Sequence, residues 1–562
     1  MFRWLGWMAL LCALVSCGKT GDSPTANAPG ATPEASNGER VELLFTYGSE
    51  KEEWVKAVTE EFHRGQPKIA SGKPIHVTAA PKGSGECIEE LIQGAKPVDI
   101  TSPASAAFIK LGNAQWRAKT GHDLIGPTEN LVLSPVVIAT WKPMAEALGW
   151  PEKPVGWADI LKLATEPQGL AARGFPQWGR FKFGHTHPDF SNSGLISLFA
   201  EVYAGTGKTT GLTVADVAKP ETARFLSEIE SSVVHYGSST GFFGRKMFAN
   251  GPAYVSATVL YENMVIESYA QKQAPQFPIV AIYPKEGTFW SDHPAGIVDR
   301  EWVTPEHREA ARQYLDFLLA RPQQERALQY GFRPALADVP VGAPIDAAHG
   351  VNPREPQTTL ELPGVDVMDA IKRLWQENKK RANITLVIDI SGSMNEEGKI
   401  QNARPGAQEL IRLLSDHDNF RMVPFSTTVF DSAPSRPLGE FRARAMSEAG
   451  SLIPNGETAL YDAINSAYRE QMASAAQNAD RIRAIVVLTD GEDNKSHLTL
   501  DQLLKEIHFD SETHNIRIFT IAYGQDARKD VLKKIADATE AKFYEGKPEN
   551  IREVFKDIST FF

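Results

Sequence analysis

Apolar and polar positions alternate along the chain in strand-like and helix-like stretches from Val41 onwards. The run VELLFTY at 41–47 has strand character, whereas EEWVKAVTEEFH at 52–63 places its apolar residues at helical spacing. A second strand-like run, a second helical stretch and a third strand-like run follow by residue 103. This βαβαβ order predicts a parallel sheet covered by helices.

The same alternation continues to about residue 334. A second series begins with LVLSPVVIATW at 131–141, and later strand-like runs occur at 253–260 and 277–284. A stretch of this length is more than one hydrophobic core usually organises. We therefore expect residues 41–334 to form a two-lobed α/β domain.

A different composition separates this region from the rest of the chain. Residues 335–365 are rich in proline and have the character of a connector. Apolar residues then recur at helical spacing in 366–379, which predicts an amphipathic helix that packs on the domain following it. Residues 335–379 are therefore assigned as a linker that ends in a helix.

Strand-like and helix-like stretches resume at Asn383 and continue to the last residue. The runs ITLVI at 384–388 and IVVL at 485–488 are continuously apolar, as is typical of strands buried on both faces. We expect residues 380–562 to form a doubly wound, Rossmann-like parallel sheet.

Polar residues directly follow these two apolar runs. Asp389, Ser391 and Ser393 come after the first and Asp490 after the second, and Thr458 opens a helical stretch between them. Ligands of open parallel sheets bind at the carboxyl ends of the strands, so these side chains are expected to converge. Carboxylate and hydroxyl oxygens suit a hard cation such as Mg²⁺. The alternative is that the serines cap a helix and Asp490 closes a turn.

The three loops DISGS at 389–393, GETALYDAI at 456–464 and LTDGEDN at 488–494 resemble the metal-ion-dependent adhesion site of a von Willebrand factor type A domain. The resemblance implies a site for Mg²⁺, or another divalent cation such as Mn²⁺ or Ca²⁺, with an acidic side chain of a protein partner completing the coordination. The implied metal ligands are Asp389, Ser391, Ser393, Thr458 and Asp490. Because Pro405 falls inside the helix expected next, that helix should start after Pro405 or be kinked there.

Residues 41–334 resemble the periplasmic solute-binding proteins of ATP-driven importers, particularly those for small oxyanions. Stretches such as PKGSGECIEEL at 81–91 and HPDFSNSGL at 187–195 carry the resemblance. GSG and SNSG each precede a helical pattern and offer backbone N–H groups and hydroxyls to an anion. The candidate ligand-binding residues are Ser84, Gly85, Ser191, Ser193 and Gly194. The alternative for each is an ordinary helix cap or turn residue.

Two other groups of polar residues invite a functional interpretation. His185 and His187 form an HxH pair, for which we expect a structural or solvent-facing role rather than metal binding. Glu50, Glu52 and Glu53 are expected to form the solvated start of a helix.

The first residues predict an export signal. Residues 4–15 are apolar but too few to span a membrane, and the LVSC-G junction at 14–18 resembles a bacterial lipobox. The resemblance implies a signal peptide at 1–16, a lipidated Cys17 and a flexible tether at 17–40. Only Cys87 would remain as a free thiol, which excludes an intrachain disulfide. We expect a lipoprotein of the bacterial envelope, facing the periplasm or lying at the cell surface.

The chain carries 59 basic and 70 acidic residues, with a net charge of -11. This balance argues against nucleic-acid binding. No Ser/His/Asp or Cys/His set indicates an enzyme. The leading prediction is a lipid-anchored, non-catalytic receptor that joins a solute-binding module to a metal-dependent protein-binding module, for adhesion, assembly or sensing. The alternative is the solute-binding component of an ABC importer for a small oxyanion.

Overall fold

The computed structural model describes residues 40–94, 96–430, 432–508 and 515–562. The predicted signal peptide, the lipidation site Cys17 and the tether up to residue 39 lie outside the described residues. Within the described ranges, no helix has both the length and the apolar character needed to cross a bilayer.

The front region, residues 41–334, consists of alternating strands and helices as the pattern predicts. Its strands are β1 (Val41–Gly48), β2 (Ile75–Lys82), β3 (Ile100–Ser102), β4 (Ile125–Asn130), β5 (Val132–Trp141), β6 (Phe183–Thr186), β7 (Val233–Gly237), β8 (Ala257–Tyr261), β9 (Ile279–Ile282), β10 (Trp290–Ser291), β11 (Pro294–Val298) and β12 (Arg333–Pro334). Its helices are α1 (Glu52–Arg64), α2 (Ser84–Gln93), α3 (Ala106–Thr120), α4 (Lys142–Ala147), α5 (Trp157–Thr165), α6 (Asn192–Thr206), α7 (Val214–Val217), α8 (Pro220–Glu230), α9 (Thr240–Asn250), α10 (Glu262–Tyr269), α11 (Pro305–Leu319) and α12 (Arg321–Gln329).

These strands form two separate sheets, which define two lobes. The first lobe has the strand order β2-β1-β3-β11-β4, and the second has β10-β5-β8-β6-β7 with β9 and β12 also paired to β5. Strand β1 runs parallel to β2 and β3, whereas β11 is antiparallel to both of its neighbours. The sheet of the first lobe is therefore mixed rather than wholly parallel. The chain crosses between the lobes at Leu131, returns at 292–293 and crosses again at 330–332 before β12 pairs with β5, which makes these three segments the hinge.

The connector is packed rather than extended. The carbonyl oxygens of Asn352, Pro353 and Glu355 accept hydrogen bonds from Arg333 of the second lobe. The helix that follows, α13 (Val365–Asn378), packs mainly on α6, α7 and α8 of that same lobe. The expectation that this helix packs on the domain after it was wrong. An amphipathic pattern indicates that one face is buried, but it does not indicate which neighbour covers that face.

The rear region, residues 380–562, is a doubly wound sheet covered by helices. Its strands are β13 (Ala382–Asp389), β14 (Asn419–Phe425), β15 (Arg436–Pro437), β16 (Ile482–Thr489), β17 (Ile516–Tyr523) and β18 (Phe543–Gly546). Its helices are α14 (Lys399–Leu413), α15 (Arg442–Gly450), α16 (Leu460–Ala473), α17 (Leu500–Glu506), α18 (Lys529–Ala538) and α19 (Ile551–Ser559). The order is β15-β14-β13-β16-β17-β18, parallel throughout except for the edge strand β15.

Helix α14 begins at Lys399 and includes Pro405, so the first of the two expected alternatives, a start after Pro405, was wrong. Pro405 lies early in this helix, where it removes one backbone donor without ending the helix. Gly406 comes next and faces α19, because a Cβ there would come within 2.7 Å of the Phe555 ring.

The rear region is joined to both lobes. One apolar cluster runs from the second lobe into the rear sheet and includes Tyr236, Trp375 and Phe561. The Tyr236 N–H donates to the Phe561 carbonyl oxygen at 3.3 Å. Lys556 of α19 pairs with Glu89 on α2 of the first lobe, and its Nζ lies 5.3 Å from the ring centroid of Phe190 in the second lobe. Helix α19 therefore contacts both lobes at the place where they meet.

Candidate functional site

Two parallel strands bring the acidic residues of the rear region together. Strands β13 and β16 are paired in a register that sets Ile388 beside Leu488, so Asp389 lies next to Thr489 and Asp490 at their carboxyl ends. The Thr489 hydroxyl donates to Asp389 Oδ2 at 2.5 Å. Asp389 and Asp490 are 0% and 1% exposed, respectively. The sheet therefore places two buried carboxylates at one edge, as the sequence predicts.

A chain of hydrogen bonds connects these carboxylates through the serines of the first loop. Asp389 Oδ1 accepts from the Ser391 backbone N–H at 2.7 Å. The hydroxyl oxygens of Ser391 and Ser393 are 3.1 Å apart, and Ser393 Oγ donates to Asp490 Oδ1 at 2.8 Å. Four of the five predicted metal ligands thus form one continuous polar cluster.

The fifth predicted ligand, Thr458, is held beside this cluster by the loop after β16. Its N–H donates to Asn494 Oδ1 at 2.9 Å, and its carbonyl oxygen accepts from the N–H groups of Asn494 and Lys495 at 3.0 and 3.1 Å. A Cβ on Gly491 would lie 3.4 Å from Thr458 Oγ1 and 4.0 Å from Ser393 Oγ. The two hydroxyls therefore flank the same small space, and all five predicted residues are brought together.

The cluster contains one residue that the sequence interpretation missed. Lys399, the first residue of α14, is 1% exposed, and its Nζ donates to Asp490 Oδ2 at 2.8 Å. In the sequence, Lys399 is a lysine at the start of a helix, ten positions after Asp389. Such a lysine is equally typical of a solvent-facing residue, so the sequence does not predict its burial. Burial raises the pKa of Asp389 to about 6, against the hydrogen bonds from Thr489 and Ser391.

The donor set fits a hard divalent cation. Every candidate ligand atom is a carboxylate or hydroxyl oxygen, and such oxygens are the ligands that Mg²⁺ and Mn²⁺ prefer. Across the described ranges, no group of three or more His, Cys, Asp or Glu side chains is placed to hold a metal ion. A cation here would therefore depend on the hydroxyls for coordination and on Asp389 and Asp490 for charge.

In the front region, the first candidate anion loop is closed against the other lobe. The Gly85 N–H donates to the Phe190 carbonyl oxygen at 2.8 Å, and Ser84 Oγ accepts from the Ala104 N–H at 3.0 Å. A Cβ on Gly85 would come within 1.9 Å of the Asp189 carbonyl oxygen. The groups predicted to hold an anion are engaged by the protein itself in this closed arrangement.

The second candidate loop is also bonded internally. Ser193 Oγ lies 2.8 Å from Thr186 Oγ1 and 3.0 Å from Thr240 Oγ1, and Ser191 Oγ lies 3.2 Å from Thr240 Oγ1. The Gly194 N–H donates to Thr186 Oγ1 at 2.8 Å. Ser191, Ser193 and Gly194 are therefore in one network in the second lobe, apart from Ser84 and Gly85 in the first. Their predicted role in binding an anion stays a prediction.

Between the lobes lies a buried charge cluster that the sequence analysis did not predict. Lys51 Nζ donates to Glu50 Oε1 at 2.8 Å and lies 3.1 Å from His293 Nδ1. Burial alone would raise the pKa of Glu50, but the charge of Lys51 and the hydrogen bond to His293 lower it to about 2. The expectation of a solvated helix start was wrong for Glu50, because lobe contacts bury it, whereas Glu53 is exposed.

A cavity of about 900 Å³ adjoins this cluster. It is lined by Glu53 and Trp54 of α1, by Arg245 and Phe248 of α9, and by α10. Clefts of about 300–1,000 Å³ are typical of small-molecule sites. The space between the lobes is therefore large enough for a small solute.

The HxH pair is structural. His185 Nε2 lies 2.9 Å from Glu230 Oε1, and its Nδ1 lies 2.8 Å from the Thr186 carbonyl oxygen. The His187 ring packs edge-on against Trp375 at 4.9 Å, and burial lowers its pKa to about 3. Both histidines are buried, so a solvent-facing role does not apply to them.

Comparison with solved structures finds matches to each region. A von Willebrand factor type A protein from Catenulispora acidiphila is 25% identical, with a TM-score of 0.29, over 32% of this chain and 43% of that one. A periplasmic thiamin binding protein is 14% identical, with a TM-score of 0.45, over 63% of this chain and 100% of that one. A sulfate-binding protein from Mycobacterium tuberculosis H37Rv is 17% identical, with a TM-score of 0.36, over 56% of this chain and 92% of that one. The chain thus spans less than half the length of the first of these.

No curated protein sequence matches the chain. Family models match both regions. The model for the von Willebrand factor type A domain matches residues 383–557. The model for bacterial extracellular solute-binding proteins matches residues 43–333, which is more than half of the 562 residues. The chain therefore belongs to the family of bacterial extracellular solute-binding proteins, and a von Willebrand factor type A domain follows the solute-binding region.

Proposed function

We propose that this protein is a lipid-anchored receptor of the bacterial envelope whose rear domain binds a protein partner through a divalent metal ion. The observation that carries the proposal is the polar cluster at the ends of β13 and β16. Its hydroxyls link two buried carboxylates, and in the part of the chain that the structure describes only one of these, Asp490, is paired with a cation. A second positive charge would neutralise Asp389.

The residues that would hold the metal are Asp389, Ser391, Ser393, Thr458 and Asp490. Two carboxylates and three hydroxyls leave a divalent cation able to accept a further oxygen ligand, which an acidic side chain of a partner would supply. The role of the chain's own residues is to fix these oxygens and to exclude competing donors. We propose that binding, not catalysis, is the outcome.

Calorimetric titration of Mg²⁺ and Mn²⁺ into the full chain tests this proposal. Wild-type protein should bind one equivalent, and Asp389→Ala should abolish binding while the circular dichroism stays nearly unchanged. Asp526→Ala is a matched control, because this carboxylate is exposed and lies 4.0 Å from Lys399 without belonging to the cluster. Unchanged metal affinity in Asp389→Ala would refute the assignment. Affinity capture of partners with and without Mg²⁺ then tests the metal dependence of assembly.

We also propose that the front region binds a small solute between its lobes. The cavity beside the hinge supports this, because its walls combine aromatic side chains, the amide of Asn263 and the Arg245 guanidinium. Arg245 bonds to Glu52 and Glu267, but its Nη2 has no hydrogen-bond partner within the described part of the chain. Because Nη2 is buried, an anionic group of the solute would pair with this guanidinium by displacing Glu52 or Glu267.

Thermal shift measurements against sulfate, phosphate, molybdate and small organic acids test the solute. A ligand that binds only the folded state at a hundredfold excess over its dissociation constant adds about 2.7 kcal/mol to the free energy of unfolding. Arg245→Met should remove the shift if the cavity is the site, and the double variant Ser84→Ala, Ser193→Ala should remove it if the serine loops are. No shift with any anion would refute an oxyanion ligand.

The anchor is proposed at Cys17. Cys17→Ser should stop acyl labelling and release the protein from the membrane fraction, whereas Cys87→Ser should change neither, because Cys87 is buried in the front region. Labelling that persists in Cys17→Ser would place the lipid elsewhere.

A further inference from the structure

Lys399 is the cation of the polar cluster. Its Nζ lies 2.8 Å from Asp490 Oδ2, while Ser393 occupies Asp490 Oδ1 at 2.8 Å. Among the described residues, the only other carboxylate within 4.0 Å of Nζ is that of Asp526, which is 80% exposed. The ammonium group is therefore directed at the cluster rather than at solvent.

The surroundings of Lys399 are shaped to hold it. Gly524 has a φ of +90°, and a Cβ there would come within 3.2 Å of Lys399 Cε and 3.7 Å of Nζ. The Tyr523 hydroxyl donates to the Lys399 carbonyl oxygen at 2.8 Å. The buried ion pair of Lys399 Nζ with Asp490 Oδ2 at 2.8 Å holds the lysine in its charged form.

This charge changes the electrostatics of the metal site. Asp389, Asp490 and Lys399 together carry one net negative charge when all are ionised. A bound divalent cation then leaves one net positive charge, whereas the same cluster without the lysine would become neutral. We propose that Lys399 is a specificity-determining residue: it weakens metal binding and makes the metal-loaded site select an anionic partner group. This inference rests on the metal site of the proposed function and adds how its partner is chosen.

The physical reason is that like charges in a poorly solvated site repel strongly. Removing the ammonium should raise metal affinity about tenfold or more, since the ligand charge count sets the affinity of such sites. The same change should lower the affinity of the loaded site for a carboxylate by a similar factor. These two effects have opposite signs, so general damage to the fold would not produce them.

The experiment uses the full chain as wild type, Lys399→Met, Lys399→Gln and Lys399→Arg. Calorimetry measures Mn²⁺ affinity, and water-proton relaxation of the Mn²⁺-loaded protein during an acetate titration measures carboxylate binding. The Met and Gln variants should bind Mn²⁺ about tenfold tighter and acetate about tenfold weaker. Lys399→Arg should remain close to wild type, because it keeps the charge. Lys399→Gln controls for a folding defect in Lys399→Met, because the glutamine amide can still donate a hydrogen bond to Asp490.

The outcomes separate this inference from the proposed function. If all four proteins bind Mn²⁺ and acetate equally, the role of Lys399 is overturned while the metal site stands. If none binds Mn²⁺, the proposed function itself fails. If only the Met and Gln variants bind Mn²⁺, the lysine replaces the metal instead of tuning it, and the inference is overturned. Opposite changes in the two affinities support it.

Discussion

Two buried lysines in this protein form nearly the same ion pair in different settings. Lys51 pairs with Glu50 between the lobes, and Lys399 pairs with Asp490 in the rear domain, both at 2.8 Å. In the front pair the charges of Glu50 and Lys51 balance, His293 Nδ1 lies 3.1 Å from Lys51 Nζ, and the lobes enclose all three side chains. The rear pair lies beside Asp389, whose charge has no partner cation among the described residues. The difference is one carboxylate: the front pair is neutral and needs no further ion, whereas the excess negative charge of the rear cluster leaves room for a cation.

Breaking the front pair should have the largest effect on stability. Lys51→Met leaves Glu50 buried without a counter-charge, and we expect a loss of about 4 kcal/mol in the free energy of unfolding, measured in urea. The double variant Glu50→Gln, Lys51→Met should lose much less. Mg²⁺ should not restore Lys51→Met. If it did, the front pair would be a metal site as well, and the contrast between the two regions would disappear.

The next largest effect should be a pH dependence of stability to which His293 of the front cluster contributes, beside buried histidines such as His187. Burial and the charge of Lys51 lower the pKa of His293 to about 4, from about 6.5 in the unfolded chain. Between these values the unfolded chain binds more protons, so stability falls as the pH falls from 6.5 to 4, by about 3 kcal/mol from this residue. The free energy of unfolding, measured across that pH range, should depend less steeply on pH in His293→Gln than in the wild type. Exposed His122 gives the control, and an equal change in His122→Gln would contradict the assignment.

A smaller effect on stability is expected when a glycine of the front loop, Gly85, or of the rear loop, Gly491, is replaced by alanine. Gly85→Ala places a methyl group against the Asp189 carbonyl oxygen, so we expect a loss of about 2 kcal/mol or a separation of the lobes. Gly491→Ala meets only an ordinary contact of 3.4 Å, so its stability should change by less than about 0.5 kcal/mol. Its metal affinity should nevertheless fall, because the methyl group lies beside Thr458 Oγ1. Equal stability losses would show that the front loop is no more tightly closed than the rear loop.

The smallest effect on the free energy of unfolding should come from removing a single hydroxyl group. Ser193→Ala removes the middle of a buried hydroxyl network and should lower the free energy of unfolding by about 1 kcal/mol. Ser393→Ala should change stability less but lower Mg²⁺ affinity at least tenfold, because the lost oxygen is a ligand. Calorimetry and urea unfolding on both variants check this. A metal-independent loss in Ser393→Ala would make that serine structural.

The sequence predicts the order of strands and helices, the two lobes, the rear parallel sheet and the convergence of Asp389 and Asp490. These follow from short-range periodicity and from the rule that ligands bind at strand ends. It does not predict which surface covers α13, nor that Glu50, Lys51 and Lys399 are buried. Such burial depends on partners far along the chain: Lys51 and His293 are 242 positions apart, and Lys399 and Asp490 are 91 apart. From the local sequence alone, a charged residue at the start of a helix that is solvated cannot be distinguished from one that is buried against a side chain distant in the chain.

The contact of α19 with both lobes has a thermodynamic consequence. Lys556 touches Glu89 on one lobe and Phe190 on the other, beside the Gly85 to Phe190 hydrogen bond that closes them. The lobes cannot part there unless α19 releases one of them, so the free energy of opening the cleft includes the contacts of the rear domain. Such coupling is reciprocal. A partner that detaches α19 from the lobes would lower the free energy of opening the cleft, and a solute that stabilises the closed lobes would strengthen their binding to α19 by the same free energy. If the front region binds a solute and the rear domain a partner, as proposed, binding of either one would change the affinity for the other.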